Sequence, residues 1–318
     1  MSIGSLQRAV NLSRGQLDQA LKLLELDGAV EKVRGLYART AAPWQPDEER
    51  IARVIATRKL ELEQMRTYVT YPGCRMEYLT RLLDDPAAGP CGRCANDVGK
   101  GMPHDVDPVL VQAAIDFLRR SLRVIEPRKR WVEGGGPEGA SVIAEPNEDG
   151  VALSVLGDAG WGRDVGRARV GHAGYSSALV GAAVSAIRDS WRPDPAPDWV
   201  TAIPSRGVPG ALDGRDRVTE LGRAIASGLG LPFVACLTTT PGAESQASMQ
   251  NSVLQLANAR AGVAFSASAG AIPSGPVLLV DDLVDSRWTL TVAGALLRAN
   301  HSGPVLPFAL AGANQREG

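Results

Sequence analysis

Only four cysteines and three histidines occur in 318 residues, and no apolar run approaches the roughly 18 uncharged residues of a membrane span. So little cysteine excludes a disulfide-built scaffold. The opening residues, MSIGSLQRAVNLSRG, lack the apolar core of a secretory signal, so a cytoplasmic location without a membrane partner is expected. The phosphate cradle G-x-x-x-x-G-K-[ST] is also absent. Gly99-Lys100 has neither a strand before it nor a Ser or Thr after it, which excludes ATP hydrolysis by that route. What is present is an ordinary globular composition, 44% hydrophobic and 22% charged. At roughly 100–200 residues per domain, the length suggests two or three folded units.

The formal net charge of −1 hides an asymmetry: residues 1–132 carry 21 Lys+Arg against 17 Asp+Glu, and residues 133–318 carry 13 against 18. The halves are expected to meet different partners, although so small a surplus fits a solvated helical surface as well as a nucleic-acid footprint. Residues 3–40 read as helix, helix, hairpin. Ser13 and Gln16 form a capping box, Leu17, Ala20, Leu21 and Leu24 make one apolar face, and Gly28 closes the helix. AVEKV and LYART flank Arg34-Gly35, a tight turn giving a two-stranded wing with Lys32, Arg34 and Arg39. These elements resemble a winged helix. Such a module can set its second helix against a groove while Arg14, Lys32 and Arg34 neutralise DNA phosphates, or it can serve only to pack domains together.

AAPWQPD is a Pro-punctuated linker, and DEERIARVIATRKLELEQMRTYV, free of Gly and Pro, predicts a long helix that leads to Cys74. Cys74 starts the next helix, and Cys91-Gly-Arg-Cys94 has the two-residue spacing that lets a tight turn aim two thiolates at one ion. These three cysteines are candidate zinc ligands. The fourth is Asp97, at C-x-x-D spacing, or His104, a better donor at a less favourable spacing. The helix ending in MRTY-x-x-x-x-GCR, the short helix and CGxC resemble the zinc-binding subdomain of RecQ-type DNA helicases over residues 47–98. That family has cysteine where this chain has Asp97. The resemblance implies zinc as cofactor, and as partners DNA, duplex or junction, and the RecA-like motor lobes that precede this subdomain in the family.

EGGGPEGA at 133–140 marks a boundary, and from about 151 onward strands alternate with helices, which implies a mostly parallel sheet. PVLLV delivers Asp281 and Asp282 to the C-terminal sheet edge, where ligands bind in such folds. The loop Asp285–Thr289 and the start of the following helix favour an anion such as phosphate, with the two acids placed to hold ribose hydroxyls. This order resembles the phosphoribosyl-diphosphate motif of type I phosphoribosyltransferases. WVTAIPSR at 199–206 likewise resembles the strand and diphosphate loop of that fold, with Pro204, Ser205 and Arg206 in the loop. Residues 241–265 resemble the Gln/Asn-rich segment of phosphoribosyltransferase-like competence proteins. The resemblance implies that Asp285, Ser286, Arg287 and Thr289 hold a phosphate, accompanied by Mg²⁺. Arg287 and Trp288 stand where that family has Gly and a small residue, and Asp285 replaces Thr. Bulk there obstructs backbone approach and Asp285 repels an anion, whereas Arg287 can bind one through its side chain. Trp131, Trp161, Trp191, Trp199 and Trp288 are expected to pack rather than to stack on bases, and His172 and His301 have no identifiable partner.

The expected fold is thus multidomain α/β: winged-helix-like residues 1–41, long helix and zinc-binding subdomain 42–102, connector 103–150, and phosphoribosyltransferase-like domain 151–318. In this order the parts resemble the C-terminal region of a bacterial RecQ-like, ATP-dependent DNA helicase subfamily. That resemblance implies a DNA-binding accessory part in DNA repair, without motor lobes or catalytic residues in this chain. The alternative is a free-standing phosphoribosyltransferase using phosphoribosyl diphosphate and Mg²⁺ at Asp281, Asp282 and the following loop.

Overall fold

The computed structural model describes residues 1–99, 101, 105–171, 174–205, 216–240 and 249–313. The chain divides into two compact units, a larger one of residues 1–26, 30–39 and 112–318 and a smaller one of residues 27–29 and 40–111. The larger unit begins with α1 (Ile3–Ala9) and α2 (Arg14–Leu26). Ser13 Oγ accepts from the Gln16 N–H at 3.3 Å and Gln16 Oε1 from the Ser13 N–H at 2.9 Å, the reciprocal bonds of a capping box. Leu17 and Leu21 are buried, and Ala20 and Leu24 half-buried, along the expected face. β1 (Val30–Val33) and β2 (Leu36–Arg39) pair antiparallel. Arg34 and Gly35 turn between them at φ 50° and 81°, the left-handed pair that a two-residue hairpin needs.

In the smaller unit, α3 (Glu48–Thr70) starts where Asp47 accepts the Arg50 N–H at 2.8 Å, and Glu48 and Glu49 suit its N-terminal dipole. Neither α3 nor α4 (Arg75–Leu82) nor α5 (Ala95–Val98) contains a buried residue. α6 (Pro108–Arg120) crosses the division between the units.

The larger unit continues through β3 (Arg123–Ile125), β4 (Gly150–Val155), α7 (Gly162–Val170), α8 (Ser177–Ser185), β5 (Trp199–Ala202) and α9 (Arg217–Leu229). Then come β6 (Leu237–Thr239), α10 (Ser252–Gly262), β7 (Val263–Phe265), β8 (Val277–Val284), α11 (Trp288–Ala299) and β9 (Val305–Gly312). Five strands form one sheet in the order β3-β4-β9-β8-β5; β3 is antiparallel to β4 and the other pairings are parallel. β3 lies within residues 103–150, so that stretch supplies an edge strand as well as a connection.

Helices cover both faces, which is why β8 reads as a continuous apolar run and Val277–Val280 have no exposed surface. Val165 of α7, Leu179 of α8 and Leu221 and Ile225 of α9 pack on one face against Leu278, Val280 and Phe308. Leu290, Ala293 and Leu297 of α11 pack on the other against Val277, Leu279 and Ala309. Asn251, 4% exposed, caps α10 through its Oδ1 while its Nδ2 donates to the carbonyls of Gln7, Val10 and Leu12 at 3.1–3.2 Å. One amide therefore satisfies orphan groups at the end of α1 and at the start of α10, and fastens the N-terminal helices to the sheet unit. Among the described residues no helix is long and apolar enough to cross a membrane.

Candidate functional site

In the smaller unit Cys74, Cys91, Cys94 and Asp97 come together, with one ligand atom from each lying within 4.8 Å of all the others. Cys74 caps α4, its Sγ accepting the Glu77 N–H at 3.4 Å, and Cys94 is the N-cap of α5. The Cys91 N–H donates to Cys74 Sγ at 3.2 Å and the Cys94 N–H to Cys91 Sγ at 3.3 Å, so backbone donors orient both sulfurs. Cys94 Sγ and Cys74 Sγ are 3.9 Å apart. Two sulfurs at about 2.3 Å from a tetrahedral zinc would be about 3.8 Å apart, so the spacing suits that ion. Asp97 Oδ2 lies 3.1 Å from Cys91 Sγ and accepts the Gly92 N–H at 2.9 Å. Hydrogen bonds from the Cys74 and Cys91 thiols hold its carboxyl below the ordinary value. Asn96 Nδ2 bonds the carbonyls of Tyr71 and Gly73 at 2.6 and 2.8 Å and so ties α5 to the chain before Cys74. The cluster could hold a metal ion; His104 lies outside the described residues.

In the larger unit, β5 stops at Ala202 and its last ladder bond runs from the Ile203 N–H to Val280 O at 2.9 Å. β8 continues, paired with β9 as far as Val284↔Gly312. Asp281 and Asp282 therefore lie within the strand, on the stretch that has outrun β5, and not after it as the apolar run suggests. From β5 the chain passes through α9 to Phe233, bridged to Val200 on the outer side, and returns to β8 on the inner side. This is a topological switch point, where α/β sheets bind ligands. Pro204 and Ser205 follow the end of β5 and are half-buried. Asp216, the N-cap of α9, accepts the Ser205 N–H at 2.7 Å and the Thr219 N–H at 2.8 Å, and both hydroxyls as well. Arg206 lies outside the described residues.

Successive strand residues face opposite sides. Asp282 faces the α7 side, where its Oδ2 accepts from Arg169 Nε at 2.9 Å and from the Tyr175 hydroxyl at 2.7 Å. Burial, then the Asp282 charge, pushes the Tyr175 hydroxyl far up, so it stays a donor. Burial and the charge of Asp282 also raise the Asp281 carboxyl well above its ordinary value. Arg217 Nη1 bonds the carbonyls of Ala168 and Gly171 at 2.9 and 2.6 Å, fixing the end of α7 that presents Arg169. The exposed end of β8 thus carries one carboxylate already neutralised and one that is costly to ionise. Arg169, Tyr175, Asp216 and Arg217 escaped the sequence reading. Arg169 and Tyr175 lie more than a hundred residues from Asp282, and neither stands in a motif.

After β8, Asp285 is exposed, and Ser286 O accepts from Arg128 Nε at 2.8 Å. Arg287 is the N-cap of α11 at φ 66° and makes no side-chain cap. The first N–H groups of α11, those of Trp288, Thr289 and Leu290, have no intrahelical acceptor, as at any helix start. Trp288 does not obstruct the loop as its bulk suggests, because it is fully buried and stacked on Trp131 with centroids 6.1 Å apart. Trp199 is also fully buried, and Trp131, Trp161 and Trp191 pack half-buried against the core clusters, as expected of packing residues. Arg14 pairs with Asp18 at 2.9 Å, Lys32 lies 5.3 Å over the Tyr37 ring, and Arg34 sits in the hairpin turn; all three are exposed. His301 is an exposed turn residue, and His172 lies outside the described residues.

No known protein family and no curated protein matches the chain. Part of it is similar to solved phosphoribosyltransferases. An adenine phosphoribosyltransferase is 17% identical over 44% of this chain and 72% of its own, with a TM-score of 0.29. A purine phosphoribosyltransferase from Pyrococcus horikoshii is 16% identical over 43% and 74%, with a TM-score of 0.28. The adenine phosphoribosyltransferase of Leishmania tarentolae is 16% identical over 44% and 72%, with a TM-score of 0.29. Likenesses this slight add nothing to the sheet order described above, on which the reading of the site rests.

The metal cluster makes a direct prediction. Protein purified without chelator is expected to carry close to one zinc by elemental analysis, and Cys91→Ser should lose it together with the ordered fold of residues 71–98. Absence of any bound metal would reject the site. The acid pair makes another. An acid whose folded pKa is raised costs stability once pH climbs above its unfolded value of about 3.9, and the cost grows until the folded pKa is passed. Asp281→Asn should therefore raise Tm at pH 8, by at least about 2 °C, with the gain vanishing toward pH 4. A gain independent of pH would contradict the assignment.

Proposed function

We propose that the larger unit is a phosphoribosyltransferase-type domain that binds a ribose phosphate at the step between β5 and β8, and that zinc is the structural ion of the smaller unit. One observation carries the reading: Asp281 and Asp282 project from the part of β8 that has outrun β5, at the switch point, with a helix N-terminus following directly. On this reading Asp281 and Asp282 accept the ribose hydroxyls, and the hydroxyls compete with Arg169 and Tyr175 for Asp282. The N–H groups opening α11 receive phosphate. Transfer is not part of the reading. Mg²⁺, which phosphoribosyl transfer requires, would meet Asp282 already neutralised by Arg169 and Asp281 costly to ionise. Calorimetry with ribose 5-phosphate, and with phosphoribosyl diphosphate plus Mg²⁺, should register binding that Asp282→Asn weakens about tenfold, roughly 1.4 kcal/mol. Diphosphate release in the presence of any nucleobase would replace this reading with the transferase one, and absence of binding by either ligand would remove both.

A second reading is favoured by the closure of the Cys74–Asp97 cluster within residues 47–98, the stretch that resembles the helicase zinc subdomain. The chain would then be the accessory DNA-binding part of a RecQ-like helicase, partnered by RecA-like motor lobes, with Arg14, Lys32 and Arg34 on the DNA backbone. Duplex binding is expected to be weak and to lose affinity with salt at a slope of only a few phosphate contacts. Binding that survives the double change Lys32→Glu, Arg34→Glu would eliminate this reading.

A further inference from the structure

A cavity of about 490 Å³ opens beside the edge strand β3, on the side of the sheet edge away from the β5 crevice. Its volume falls within the range of small-molecule sites. Its lining is mixed: Ile125, Ala152, Val155 and Val284 contribute apolar surface, and Arg123, Glu126, Asp285 and Arg287 contribute charged side chains. Arg287 spends one N–H on Glu126 O at 3.1 Å, while its Nε is buried and has no hydrogen-bond partner. Behind it, Arg128 donates to Ser286 O and lies 4.0 Å over the Trp288 ring. Burial and the neighbouring Arg287 charge push Arg128 down to about 10, which marks the two cations as close and mutually uncompensated. Glu126 and Asp285 are at the cavity as well, but both are exposed. Among the described residues neither forms an ion pair with Arg123, Arg128 or Arg287. At the cavity itself Arg123 has no ion pair among the described residues and Arg287 is answered only by a carbonyl, so both guanidinium groups are open to an anion.

We infer that this cavity is a second ligand site, taking a small molecule with one carboxylate or phosphate on an apolar body: the anion meets Arg123 and Arg287, and the body fills the Ile125–Val284 wall. The cavity shares Asp285 and Arg287 with the loop after β8 but none of Asp281, Asp282 and Ser205, so a change at Asp282 separates this inference from the ribose-phosphate reading.

The probes are phenyl phosphate, benzoate and inorganic phosphate, titrated into the full chain with methyl NMR as the readout. Phenyl phosphate or benzoate is expected to shift the Val124, Val155 and Val284 methyls and to bind at least tenfold more tightly than inorganic phosphate; the tighter of the two identifies the anion. Arg287→Gly should weaken this binding at least tenfold with the fold intact, since glycine suits φ 66° better than arginine does. Arg123→Gln, on an exposed edge, should weaken it likewise, and Asp282→Asn should leave it unchanged. The inference is overturned by methyls that do not shift, by inorganic phosphate binding as tightly as the aromatic probes, or by affinity that follows Asp282 and ignores Arg123. Failure of ribose 5-phosphate to bind would leave these shifts in place, so the two readings fail separately.

Discussion

β8 and β9 pair from Val277↔Val305 to Val284↔Gly312, whereas β5 releases β8 at Val280, and this inequality of strand length sets most of the chemistry of the larger unit. While β8 has neighbours on both edges and helices on both faces, only apolar side chains fit, and Val277–Val280 supply them. Once β5 has stopped, one edge is free and polar side chains become tolerable. Asp281 and Asp282 occur at that point. Alternation then sends Asp282 to the α7 side, where a half-buried carboxylate needs partners, and Arg169 and Tyr175 provide them.

The smaller unit rests on different physics. Its helices bury none of their side chains, and Cys74, a prospective metal ligand, is among the few buried residues it has. With so little apolar surface withdrawn from water, hydrophobic burial cannot offset the chain entropy of ordering residues 71–98. The remaining source of order is the cluster itself: two helix N-caps aimed inward, N–H groups directed at sulfur, and Asn96 joining the segments before and after it. A metal ion is the natural centre of such an arrangement, since its binding energy becomes folding energy.

Local signals in the sequence were the readable ones. Ser13 and Gln16, Arg34-Gly35, the cysteine spacing and the apolar run before Asp281 act within a few residues, and each forms the local element it predicts, although the strand of that run continues through Asp281 and Asp282. The partners of Asp282 were not readable, because Arg169, on α7, and Tyr175, between α7 and α8, reach it only through tertiary packing. Trp288 shows the same limit in the other direction: its size at a loop position predicts obstruction, but a core formed by Leu256, Ala259 and Val292 takes it inward. β3 was missed because three residues on an edge, Arg123–Ile125, carry no periodicity to detect.

That missed strand bears on the loop after β8. The turn into α11 needs a left-handed residue, and an arginine at φ 66° costs about 1–2 kcal/mol relative to the right-handed conformation, a cost that glycine would avoid. The side chain gives something back. Arg287 reaches the carbonyl of Glu126, and Arg128 reaches the carbonyl of Ser286, so the segment leaving β3 and the loop leaving β8 are clasped by two reciprocal arginine-to-carbonyl bonds. Hydrogen bonds from charged donors contribute about 1.5–3 kcal/mol each, enough to exceed the backbone strain. The conformation of the loop between β8 and α11 is therefore set as much by residues 126–128, far earlier in the chain, as by the residues of the loop itself.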